Sequence, residues 1–79
     1  MNTYQERTFS QDIGNALKGI RESRGLSQRD LANIMGVKST GTISRLESGR
    51  KELFLSTIRK HLKYMGADMS DFAEYMGWL

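Results

Sequence analysis

Residues 40–45 (TGTISR) set three hydroxyls and one guanidinium around a single apolar residue: Thr40, Thr42, Ser44 and Arg45 surround Ile43, and Gly41 offers no side chain at all. No base and orienting group stand beside these hydroxyls, so nucleophilic catalysis is not what they suit. Hydrogen bonding is. Small hydroxyls and a forked guanidinium match base edges and phosphate oxygens, and a helix carrying them can enter a nucleic-acid major groove. The surrounding stretch 26–49 (LSQRDLANIMGVKSTGTISRLESG) supplies Leu31, Ala32, Val37, Ile43 and Leu46 for packing and Gly36 for a tight turn. Two short helical patterns about a glycine, the second polar on one side, are the layout of one helix that braces and one that reads.

Other chemistries find little support. His61 is the only histidine and has no Asp, Glu or Cys at ligand spacing, so it reads as an exposed helix residue and no metal is expected. The eight glycines form no phosphate-cradling run. No enzyme activity and no cofactor are expected.

The elements that must position the polar face follow from apolar spacing. Residues 1–9 (MNTYQERTF) show no period and read as a flexible N-terminal arm; residues 10–79 read as one domain. Ile13, Leu17 and Ile20 share a helix face, with Ser10 as N-cap, Asp12 in the first turn, and Gly25 after the end. Ser27 caps a second helix, Asp30 closes a capping box, and Leu31, Ile34 and Met35 form its stripe until Gly36. Val37 is expected as a buried plug. A third helix begins near Ser39 or Thr40, turns Ile43 and Leu46 inward, and ends at Gly49. A fourth runs from Leu55 to Met65 with Leu55, Ile58, Leu62 and Met65 on one face. Asp68 or Ser70 caps a short last helix carrying Met69, Phe72, Ala73 and Met76. No strand-like alternation and no proline interrupt this, so the fold class is all-α, a compact five-helix domain.

With 79 residues the core is modest, and no cysteine can staple it. Absent cysteine and the lack of a signal-like apolar run after Met1 fit a cytoplasmic protein, and no stretch has the roughly 20 apolar residues of a membrane span. Net charge is +3. Residues 18–63 hold eleven Lys and Arg against four acids, whereas residues 64–79 hold three acids and no Lys or Arg. A basic middle suits a polyanion.

Residues 13–66 resemble the helix-turn-helix family of phage Cro and repressor proteins, the Xre family. The matching motifs are IRESRGLSQRDLA at 20–32, GV at 36–37 and ISRLESG at 43–49. The resemblance implies a lambda-repressor-like fold and binding to double-stranded DNA through the major groove. Carried over by position, it implies base contacts from Thr40, Gly41, Thr42, Ser44 and Arg45, with Arg45 the strongest reader. It implies phosphate contacts from Gln28 at the start of the second helix and from Lys38, Ser39, Arg50 and Lys51 beside the groove. Arg21 and Glu47 match a pair resembling the family's internal salt bridge, whose role is to orient the third helix. The chain departs from the pattern twice. Seven steps separate Gly36 from Ile43 where the family usually has six, and Gly41 stands where a base-reading side chain often sits.

The tail is rich in large apolar groups for a segment without cations. Phe72, Tyr75, Met76, Trp78 and Leu79 are expected to form a homodimer interface, which would set two reading helices about one DNA turn apart. The alternative is that Trp78 folds back over its own domain. The expectation is a DNA-binding transcriptional regulator, a repressor acting as a homodimer on a pseudo-palindromic operator. Restriction–modification controller and mobile-element repressor are two roles with this chemistry, with RNA polymerase as a possible contact. A third is the antitoxin of a toxin–antitoxin pair, whose protein partner is the toxin; residues 54–68 resemble the fourth helix of some antitoxins of this family.

Overall fold

The computed structural model describes residues 3–50 and 54–78, with side chains from residue 9 onward. Among the described residues there are five helices and no strand: α1 (Thr3–Ser23), α2 (Gln28–Met35), α3 (Gly41–Glu47), α4 (Leu55–Tyr64) and α5 (Met69–Tyr75). The backbone of α1 begins seven residues before Ser10, so the segment expected as an arm is helical from Thr3. The physical reason is that no glycine or proline stands between Thr3 and Ser10 to stop propagation. Asp12 accordingly lies within the helix and not in its first turn.

The helix start expected at Ser27 is present, and of the two candidates Asp68 and Ser70 it is Asp68 that caps α5. The Ser27 hydroxyl accepts from the Asp30 N–H at 2.9 Å while the Asp30 carboxylate accepts from the Ser27 N–H at 2.9 Å. Asp68 and Asp71 repeat the arrangement at the start of α5, at 2.9 and 3.0 Å. These reciprocal bonds satisfy donors that a helix start otherwise leaves open. Gly36 ends α2 with φ 75°, a left-handed conformation that costs glycine little, and the following N–H of Val37 returns to the Ala32 carbonyl.

α1 forms the spine. Its Ile13, Ala16, Leu17 and Ile20 meet Leu31 and Ala32 of α2, Ile43 of α3, Ile58 and Leu62 of α4, Met65, and Phe72 of α5 in one core. Three expected core residues are instead exposed: Ile34, Val37 and Leu55. Leu31, Ala32 and Met35 span the buried arc of α2, and at 3.6 residues per turn Ile34 falls about 100° from its centre. Leu55 is the first residue of α4, and Val37 lies in the loop between α2 and α3. His61 corrects the reading in the other direction. It is buried, on the same face as Ile58, Leu62 and Met65, and its Nδ1 lies 3.1 Å from the Thr57 carbonyl.

Candidate nucleic-acid interface

The third helix is seven residues long, too short to persist on its own. Two things hold it. Ile43 and Leu46 are fully buried, each contributing about 1.5–3 kcal/mol relative to exposure. The second is polar. Glu47, buried at the helix end, accepts from Arg21 Nε at 2.7 Å and Nη2 at 3.0 Å, a two-pronged pair. Arg21 spends its remaining Nη1 on the Leu26 carbonyl at 2.6 Å. Gln28 Nε2 donates to Glu47 Oε1 at 3.0 Å. One carboxylate thus ties α1, α2 and α3 together. The hydrogen bond to Glu47 raises the Arg21 guanidinium above its ordinary range, outweighing the burial that would lower it.

With Ile43, Leu46 and Glu47 inward, Gly41, Ser44, Arg45 and Ser48 fall on the opposite side of α3. Ser44 and Arg45 are exposed, Gly41 and Thr42 half-buried. Among the described residues, no side-chain hydrogen bond or ion pair occupies Arg45, Thr42 or Ser44. Arg50 lies exposed just past the helix, its N–H bonded to the Arg45 carbonyl at 3.0 Å.

The segment between α2 and α3 runs from Gly36 to Thr40. Lys38 and Ser39 are exposed, and Thr40 takes the N-cap position without a side-chain capping bond. The Ser39 hydroxyl accepts from the Gly41 N–H at 3.0 Å, and Arg29 Nη1 reaches across from α2 to the Lys38 carbonyl at 2.9 Å. Gly41 is the first residue of the helix, where the interior cost of a glycine is not incurred; a Cβ there would meet only the Ser39 hydroxyl oxygen, at 3.2 Å. Gln28 is half-buried with one amide hydrogen committed to Glu47. Lys51 and Leu79 lie outside the described residues.

The expected interface residues of the tail divide. Phe72 is 2 % exposed and belongs to the core, so it is not available to a second chain; α5 turns it directly onto α1. Met76 is half-buried against that core. Tyr75 and Trp78 remain exposed, at 46 % and 58 %. Trp78 meets Phe72 edge to face at 6.0 Å, so it does fold back in part. A groove of about 290 Å³ lined by Asp12, Asn15, Ala16, Tyr75 and Met76 runs between α1 and α5. Phe9 is exposed and shares a helix face with Asp12 and Ala16; the absence of a period before Ser10 hid that residue. Arg29 and Gly14 also escaped the sequence reading. Arg29 left no signal, but Gly14 did: a glycine in the middle of an amphipathic helix has a packing reason.

Among the described residues, no helix is long and apolar enough to cross a membrane and no group of three or more His, Cys, Asp or Glu could hold a metal.

Residues 12–74 match the family model described as a helix-turn-helix domain. The chain is 37 % identical over 59 residues to the HTH-type transcriptional regulator PuuR of Escherichia coli (strain K12), and equally to that of Shigella flexneri. Those matches cover 75 % of this chain and 31 % of the relatives, so it spans about a third of their length. Two crystal structures of the clp gene regulator ClgR from Corynebacterium glutamicum superpose with TM-scores of 0.75 and 0.74 at 31 % identity. They cover 86 % of this chain and 86 % and 71 % of theirs. With a matched domain that includes all of α2, the turn and α3, the chain belongs to the helix-turn-helix family, in its Cro/repressor (Xre) type.

Proposed function

We propose that this chain is a sequence-specific DNA-binding transcriptional regulator that lays α3 in the major groove. The observation that carries the reading is the exposed Arg45 guanidinium, without a side-chain partner among the described residues, on the outer side of a helix whose other side is locked by Glu47, Arg21 and Gln28. Arg45 pairs with a guanine, and Thr42, Ser44, Thr40 and the backbone at Gly41 complete the base-facing set. Lys38, Ser39, Arg50, Lys51 and Gln28 take phosphates on either side. The regulator names of the relatives support this reading.

The chain acts as a homodimer on a pseudo-palindromic operator, represses by occupying a promoter, and pairs through Tyr75, Trp78, Met76 and Leu79 with Phe9 at the margin. Exposed aromatics beside the α1–α5 groove support that surface. Selection of bound duplexes from a random pool tests both statements. Two symmetric half-sites are expected. A single asymmetric site would remove the dimer, and no enrichment would remove sequence-specific binding.

A further inference from the structure

The C-terminal end of α3 rests on the backbone of α1. A Cβ placed at Gly14 would stand 2.5 Å from the carbonyl oxygens of both Leu46 and Glu47 and 2.8 Å from the Glu47 carbonyl carbon. All three are backbone atoms, so no side chain can swing aside to make room. Gln11, three residues earlier, completes the seat. Its Cα and N lie 3.0 Å from where a Cβ on Gly49 would be, and its Nε2 lies 3.5 Å from the Glu47 carbonyl oxygen. Gly19 shows what a softer contact looks like in the same helix. A Cβ there would meet the ring of Tyr75 at 2.8 Å, and that ring is half exposed and able to move.

We propose that Gly14 is a positioning residue for DNA readout. It sets how closely α3 approaches α1 and thereby where Arg45, the neighbour of Leu46, meets the bases. The inference rests on the groove reading of α3. Carbon–oxygen contacts settle near 3.3–3.6 Å, so one added methyl at residue 14 pushes the end of α3 away by roughly 0.8 Å or more. Base-edge hydrogen bonds hold within a few tenths of an ångström and only over a narrow angle, so a bidentate arginine does not survive that displacement. Phosphate contacts from long, exposed Lys38 and Arg50 adapt to it. The two kinds of contact therefore separate when residue 14 changes.

The test compares the intact chain with Gly14→Ala on the duplex enriched from the random pool and on a scrambled duplex at one salt concentration. Gly14→Ala is expected to weaken binding to the enriched site by about tenfold or more and to flatten preference at the base read by Arg45. Binding to the scrambled duplex should change by less than about twofold, because it depends on phosphate charge. Partial unfolding lowers both affinities together, so their ratio isolates positioning from stability. If Gly14→Ala does not fold, Gln11→Ala decides. It removes the amide bond to the Glu47 carbonyl while leaving the backbone contacts in place and inserting no atom, and a fall of about threefold in the same ratio supports the inference. An unchanged ratio in the folded variant overturns it alone. Failure of the intact chain to enrich any site overturns the groove reading and this inference together.

Discussion

The two ends of α3 are built on opposite terms. The C-terminal end is over-determined: Leu46 is fully buried, Glu47 accepts three hydrogen bonds from two other helices, and the last carbonyls press on Gly14. The N-terminal end is lightly held. Thr40 caps nothing with its side chain, and the loop before it is fixed by one hydroxyl from Ser39 and one guanidinium from Arg29. A helix gripped by its tail keeps its direction while its head, among the described residues, makes fewer and more local polar contacts. Direction and readout are therefore carried by different residues, and substitutions should separate them.

The largest effect is expected at the tail. Glu47→Ala strands the buried Arg21 guanidinium and also leaves Gln28 without its partner, which should cost about 3–5 kcal/mol in urea unfolding. A loss below about 1 kcal/mol would place the pair with solvated surface bridges and dissolve the contrast. Arg45→Ala, two residues away, is the counterpart. Among the described residues its side chain holds no partner, so stability should stay within about 0.5 kcal/mol. Discrimination at one base position per half-site should fall by about 1–3 kcal/mol. Equal weakening on every sequence would make Arg45 a phosphate contact.

A smaller pair of changes compares helix starts. Ser27→Ala removes the hydroxyl that caps α2 and should cost about 1 kcal/mol, whereas Thr40→Ala removes no cap from α3 and should cost much less. Equal losses in thermal or urea unfolding would mean that Thr40 supports α3 in a way its geometry does not display.

The same contrast explains what was legible in the sequence. The over-determined parts were. Ile13, Leu17 and Ile20 repeat at helical spacing, Ser27 and Asp68 precede their helices with an acid three residues on, and Gly36 marks the turn. Arg21 and Glu47 lie twenty-six residues apart, and only the family resemblance suggested that they meet. Parts decided by the packing of one helix on another were not legible. Phe72, Tyr75 and Met76 are equivalent as an apolar set; which one enters the core depends on how α5 lies on α1, where Gly19 admits the Tyr75 ring. His61 shares its face with Ile58, Leu62 and Met65, and its polarity misled a reading that its spacing would have corrected. The loop at 37–40 has no period, so the exposure of Val37 and the bond from Arg29 to Lys38 follow only from the distance between α2 and α3.

The smallest expected effect concerns acid. Among the described residues, α2 and α5 begin with capping boxes and α3 with neither a side-chain cap nor an acid in its first turn. Hydrogen bonding to the Ser27 N–H, with help from the Ser27 hydroxyl, holds the Asp30 carboxyl below its usual range. The Asp71 N–H does the same for Asp68. A carboxyl depressed by folding stabilises the native state fully above the unfolded value of about 3.9. That contribution is lost as pH falls through the lower, folded value. The unfolding midpoint in urea should therefore be insensitive to these two groups near neutrality and decline below about pH 4. Asp30→Asn and Asp68→Asn should each lessen that decline, and the carboxyl carbon shifts of both residues should titrate below those of an unstructured peptide. Because both groups are exposed, the effect stays well under that of Glu47. Titration at or above the peptide value would mean the boxes are open in solution, leaving α2 and α5 to start as lightly as α3 does.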